Sequence, residues 1–327
     1  MIRWLRWPVW NDAERRPRAL VRVALQLAML AAFSAFVQLA FAEAREAVRG
    51  SDDRTGHPEA VFALGALFMV SVGVTLQSVR LGVAHLDRRS LDALGFRVDG
   101  RWWVDLAYGV ALGAVLMLGI LGAEVALGLA TYGEAPEIGG DVPRWAYVPA
   151  TVFAFVSVAV IEEVVFRGYQ LTNLAEGLTT RWTSPRVGAW LAVALSSLVF
   201  GLAHAMNPHA DLASTGNIVA AGLMLAAGYV ATGELAIPIG LHLGWNLFQN
   251  LFGMPVSGQT RFHFGRMLER DVAGPAWLTG GDFGPEAGMT GLVAMILGTG
   301  LILLYVRLRY GALRMRVAPD ARGRPSS

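Results

Sequence analysis

The sequence predicts an all-α membrane protein, a bundle of about eight transmembrane helices with both termini in the cytoplasm. Three observations carry this. Of 327 residues, 54% are hydrophobic and 16% charged, with a mean hydropathy of +0.47, whereas a soluble globular chain runs at about 25% charged. Eight segments approach the roughly 20 mostly apolar residues that a spanning helix needs. Most of the basic residues, all of them Arg, gather at the chain ends and in alternate connections between those segments.

In chain order, residues 1–18 carry Arg3, Arg6, Arg15, Arg16 and Arg18 and form a cytoplasmic segment. The first span, 19–42, ends in "LAFAEA", with an A-x-A-like cleavage site after Ala42. Its apolar part exceeds the roughly 7–15 residues of a signal h-region, so an uncleaved span is predicted. The second span, near 60–83, leads to a connection with Arg88, Arg89, Arg97 and Arg101. The third, 103–130, leads to the acidic "YGEAPEIGGDVP", and the fourth, 145–167, to Arg181 and Arg186. The fifth, 187–206, is followed by "NPHADLASTGN", which has no Arg; the sixth and seventh are 216–232 and 235–252. The connection 253–288 holds Arg261, Arg266 and Arg270 and fits the alternation poorly. After the eighth span, 289–306, comes a basic tail, 307–327, with a low-complexity end expected to be disordered. The positive-inside rule places the Arg-rich connections and both termini in the cytoplasm. Residues 19–306 thus form a polytopic membrane domain.

Composition narrows the chemistry. With no Cys there is no disulfide framework, thiolate metal site or cysteine nucleophile. A pI near 9.2 would suggest nucleic acid in a soluble chain, but here the arginines report topology, and the expected partners are the lipid bilayer and a peptide or membrane-protein substrate. The absence of Lys reads as codon bias in a GC-rich genome and points to a prokaryotic plasma membrane. No 20–50-residue repeat is present.

An ionisable side chain at the centre of a membrane helix costs on the order of 3 kcal/mol, so each one is a functional hypothesis. Glu124, Arg22 and Arg80 lie near helix ends, where long side chains are expected to reach the headgroups. Three segments differ: "EEVVFR" on the fourth span, "FGLAH" ending at His204 on the fifth, and "HLGWN" from His242 to Asn246 on the seventh. Glu163 and Arg167 stand at i and i+4, acid first, the orientation of an intrahelical ion pair. Glu162 is turned about 100° away and has no such partner. A shared polar cavity would use it as a general base or acid. Charges that merely lock helices together are the other reading.

These segments match the E-E-x-x-x-R, F-x-x-x-H and H-x-x-x-N elements of the CAAX protease and bacteriocin-processing (CPBP, or Abi) family of intramembrane proteases. The likeness covers about 145–255 and extends weakly to "RRSLDALGFR" and "GGDFGPEAG". The resemblance implies a peptidase similar to type II CAAX prenyl endopeptidases. In it Glu162 and His204 activate water, His242 and Asn246 stabilise the oxyanion, and Glu163, Arg167 and Phe200 support them. No cofactor is required by that scheme. Zn²⁺ held by Glu162, His204 and His242 is an alternative chemistry for the same residues, although the H-E-x-x-H signature is absent. A non-catalytic scaffold, a bacteriocin-immunity protein and a proton-coupled transporter are competing functions; the last would be expected to show inverted repeats.

Depth presents a conflict. A fourth span ending near 167 puts Glu162 at the cytoplasmic end, while His204 ends the fifth span at the opposite face. The two can meet only if the fourth helix continues through "GYQLTNLAEGL" and the fifth stops inside the protein. A Glu162–His204 separation well beyond ~8 Å, too far for one bridging water, would refute a shared site.

Overall fold

The computed structural model describes residues 9–12, 14–40, 42, 58–136, 143–259 and 265–316. Arg3, Arg6, Arg261, part of "LAFAEA" and the tail beyond residue 316 lie outside these. A two-residue antiparallel pair, β1 (Trp10–Asn11) and β2 (Arg16–Pro17), precedes α1 (Ala19–Ala40) and α2 (Pro58–Leu81). There follow α3 (Gly100–Ala126), β3 (Ala130–Glu134), α4 (Val148–Glu163), a π-helical stretch (Val164–Leu171) and α5 (Thr172–Leu178). The second half holds α6 (Pro185–Ala203), α7 (Leu212–Thr232), α8 (Ala236–Leu251), β4 (Leu268–Val272), the one-turn α9 (Ala276–Thr279) and α10 (Met289–Tyr310).

Local chemistry sets several boundaries. Asp99 caps α3 by accepting from the Arg101 and Trp102 N–H groups, and Ser184 caps α6 ahead of Pro185. Asp211 and Ser214 form a reciprocal capping box at the start of α7, which ends at Gly233 with φ 73°. The fourth apolar segment runs unbroken from Arg144 to Leu178, the extension that the depth conflict required. Its π-helical stretch begins directly after Glu163, a placement common at functional sites.

Among the described residues, seven helices are long and apolar enough to cross a membrane, one fewer than the eight expected. The expected seventh span is α8. Its 16 residues rise about 24 Å, short of a hydrocarbon core of about 30 Å. Twelve of those residues are buried, so α8 is enclosed by protein where the others face lipid. It lies against α3 through small residues: Gly109 and Gly113 on one helix oppose Gly240 and Gly244 on the other. A Cβ on Gly244 would stand 2.3 Å from the Val110 carbonyl oxygen, and one on Gly113 2.4 Å from the Trp245 nitrogen. This is the close backbone approach by which membrane helices associate, since lipid provides no hydrophobic drive between them.

Two charged residues expected at the headgroups lie inside the protein. Arg22 is 2% exposed and pairs with Asp87 at 2.9 Å and Glu176 at 3.0 Å, tying α1 to the connection after α2 and to α5. Glu124 is fully buried, bonded to Arg270 at 2.5 Å and to the Tyr132 hydroxyl at 2.5 Å. Arg270 lies on β4, which pairs with β3 in an antiparallel hairpin beside α3. Its charge is therefore neutralised within the protein, which explains how an Arg is tolerated in the connection that broke the alternation. Arg80 is exposed, as expected.

Candidate active site

A cavity of about 230 Å³ is lined by Glu162, Phe200, His204, His242 and Asn246, so helical segments distant in sequence bring the predicted residues together. The Glu162 carboxylate oxygen Oε2 lies 3.9 Å from His204 Nε2 and 3.9 Å from His242 Nε2, well inside the ~8 Å limit for a shared site. His204 reaches it because α6 ends there: His204 is the C-cap, and the chain turns before Asp211 starts α7.

The ring orientations follow from their other nitrogens. His204 Nδ1 stands 2.8 Å from the Phe200 carbonyl oxygen, which only accepts, so Nδ1 carries the proton. His242 Nδ1 likewise donates to Glu163 Oε1 at 2.8 Å. In the neutral rings both Nε2 atoms are then lone pairs facing Glu162, and Glu162 Oε2 is itself buried without a hydrogen bond. Three acceptors thus converge on a point that only a donor can satisfy.

Glu163 and Arg167 form the expected pair, 2.8 Å apart and almost fully buried. The pair does more than neutralise itself. The same Oε1 that receives Arg167 also receives His242, while Arg167 donates to the Gly222 carbonyl at 3.3 Å and stands 4.2 Å over the Phe200 ring. Phe200 in turn packs on His204 with ring centroids 4.8 Å apart. One buried ion pair therefore sets the orientation of both histidines, the nearer through a hydrogen bond and the farther through an aromatic ring.

The donor set gives a direct test of the zinc alternative. Ligands about 2.05 Å from a tetrahedral zinc stand roughly 3.3 Å from one another. The 3.9 Å separations are wider, and among the described residues no group of three or more His, Cys, Asp and Glu is placed to hold a metal ion. Zinc does not fit this arrangement, and no step is routed through it. A water molecule, donating to the carboxylate and to an imidazole, fits 3.9 Å without moving either group.

Sequence reasoning missed Glu286, which lines the same cavity. It is 2% exposed and accepts from Gln249 Nε2 at 2.7 Å and from the Ser257 N–H and hydroxyl at 3.3 and 3.2 Å. Burial pushes its carboxyl up to about 7. The only sequence signal was its place in "GGDFGPEAG", outside any span, where an acid attracts no notice.

The family description "Type II CAAX prenyl endopeptidase Rce1-like" matches residues 144–248, the segment that carries Glu162, His204, His242 and Asn246. No curated protein and no solved structure matches the chain. Over residues 144–248 this multi-pass helical chain is thus similar to the Rce1-like family, which is consistent with a CPBP protein and supports, at family level, an intramembrane CAAX-type protease.

Proposed function

We propose that the protein is an intramembrane endopeptidase of a prokaryotic plasma membrane, hydrolysing a peptide bond of a membrane-associated peptide or protein by direct activation of water. The observation that carries this reading is the convergence of Glu162 Oε2 with two imidazole Nε2 lone pairs at 3.9 Å. Amide hydrolysis needs a base for the water and donors for the charge that develops on the carbonyl oxygen. Glu162, assisted by His204, takes the water proton. Asn246, on the same face of α8 as His242 and lining the cavity, offers its amide N–H to the oxyanion. His242 can donate from Nε2 only as an imidazolium, because its other N–H is spent on Glu163, so Glu162 hands the water proton on to His242 Nε2, 3.9 Å away, as the hydroxide attacks the carbonyl carbon. The buried Glu163 carboxylate faces the charge so formed, as the acid of a catalytic triad does. The proton then passes to the leaving amine.

The test is cleavage of quenched peptide libraries by the purified protein in nanodiscs. Glu162→Gln should lower kcat by a factor on the order of 10³ or more, as removal of a catalytic base does, and chelator should have no effect. Full activity in Glu162→Gln would remove the hydrolytic reading. Loss on chelation with recovery in Zn²⁺ would replace water activation by a metal mechanism.

A further inference from the structure

A second cavity, of about 200 Å³, lies where α3 begins and α7 and α10 end, and it shares no lining residue with the candidate active site. Three arginines and three acids line it, so its formal charge balances. The six are not equally engaged. Glu234 accepts from Arg97 Nε at 2.6 Å. Buried Asp105 accepts from the Tyr305 and Tyr310 hydroxyls at 2.7 and 2.5 Å and pairs with Arg309, which stands outside the lining, at 3.0 Å. Asp99 caps α3, accepting the Arg101 and Trp102 backbone N–H groups, each at 2.9 Å. That leaves the side chains of Arg101 and Arg316, both exposed and, among the described residues, neither in an ion pair.

Trp102 provides a second, independent sign. It lines the same cavity, is 7% exposed, and its indole Nε1–H is buried with no acceptor among the described residues. Buried donors are nearly always satisfied, and an indole can only donate. An uncommitted N–H beside two uncommitted guanidinium groups is a donor set that lacks an anion. The level in the membrane narrows which anion. The cavity sits at the ends of spanning helices, and the neighbouring Trp103 is 57% exposed; exposed Trp at such ends marks the headgroup region. Guanidinium groups match phosphate oxygens in geometry and charge, and basic pockets between membrane helices take up phospholipid headgroups. The volume is below the roughly 300–1,000 Å³ of sites that enclose a whole small molecule, which suits a headgroup whose chains stay in the bilayer.

We propose that this cavity binds the phosphate of an anionic phospholipid headgroup, with Arg101 and Arg316 donating to its oxygens and the Trp102 indole N–H completing the set. Free phosphate offers the same oxygens but has no acyl chains to hold it at this level. A zwitterionic headgroup fits less well, because its ammonium would meet acids already bonded to donors of the protein. The site is independent of the proteolytic reading and of which leaflet supplies the lipid.

The test titrates the delipidated full chain in detergent with dihexanoyl phosphatidylglycerol, dihexanoyl phosphatidylcholine or inorganic phosphate, reading thermal unfolding at each concentration. Phosphatidylglycerol should raise Tm saturably, and at equal concentration by more than either of the others. Arg101→Gln and Arg316→Gln should each weaken that response about tenfold or more, and Trp102→Phe, which keeps a ring but loses the N–H, should weaken it too. Arg314→Gln, two residues from Arg316 and outside the cavity, should leave it unchanged. Each variant is compared with its own lipid-free Tm, so a loss of stability is not counted as a loss of binding. Equal responses of the wild type to the two lipids, or no saturable response to phosphatidylglycerol, would overturn the proposal whatever the variants do. So would a wild-type response in the combined Arg101→Gln and Arg316→Gln variant. A response to inorganic phosphate equal to that of the lipid would overturn the headgroup assignment and make free phosphate the ligand.

Discussion

Replacing Arg167 by Met leaves the fully buried Glu163 carboxylate with His242 as its remaining side-chain partner. Breaking one side of a buried ion pair costs about 3–5 kcal/mol, because a charge stays behind out of water. For a chain of this size that corresponds to a fall in Tm on the order of 10 °C. Glu163→Gln should cost a similar amount, since the buried Arg167 guanidinium then loses its bonded carboxylate and keeps only neutral groups, an amide oxygen, the Gly222 carbonyl and the Phe200 ring face, within contact. Combining Glu163→Gln with Arg167→Met removes both charges, and the amide oxygen that replaces the carboxylate can still accept the His242 Nδ1 proton. Stability should return to within about 1 kcal/mol of wild type, as neutral replacement of buried pairs often does. Activity should not return with it: loss of the carboxylate behind the imidazolium should lower kcat by roughly 10²–10⁴-fold. Thermal unfolding in detergent followed by tryptophan fluorescence, beside peptide cleavage, separates the two effects. Losses that simply add in the double variant would refute the ion-pair account, and wild-type kcat in the double variant would refute the role of Glu163 behind His242.

Gly244→Ala should displace α8, because its Cβ would stand 2.3 Å from the Val110 carbonyl oxygen. A shift of about 1 Å at His242 and Asn246 can cost roughly 10²-fold in rate. Gly119→Ala on α3, with open space around it, should leave both rate and Tm unchanged or slightly improved. Glu286 provides a pH signature. Its folded-state value of about 7 lies above the ordinary 4.5, so the unfolded chain ionises first as pH rises. Stability should therefore fall by about 3 kcal/mol across that interval and level off above it; Tm measured against pH should lose this component in Glu286→Gln, and an unchanged profile would count against it. Arg270→Met should destabilise by about 3–5 kcal/mol by stranding buried Glu124, and Glu124→Gln combined with Arg270→Met should recover most of that loss in the same unfolding assay.

The helical membrane class, the approximate spans and the whole of the proposed catalytic set were legible in the sequence, because membrane helices are specified by local apolar runs and charges inside them are rare. The conflict over depth was legible too, together with its resolution, since "GYQLTNLAEGL" remains helix-compatible and "AMNPHA" does not. Other features were not readable. Arg22 and Glu124 were assigned to the headgroups because helix-end position is all that a sequence reports, whereas their partners Asp87, Glu176 and Arg270 come from segments remote in the chain. The Gly109/Gly113 and Gly240/Gly244 contact has its meaning only once α3 and α8 cross, and Glu286 becomes notable only when the last connection folds over the cavity. The sequence by itself determined which groups could do chemistry, through residue type and helical spacing. Only the tertiary structure decided how they act together. It made one Glu163 oxygen serve both Arg167 and His242 and turned two imidazole lone pairs toward Glu162, because hydrogen-bond direction and ligand separation belong to contacts between helices and leave no trace within any one of them.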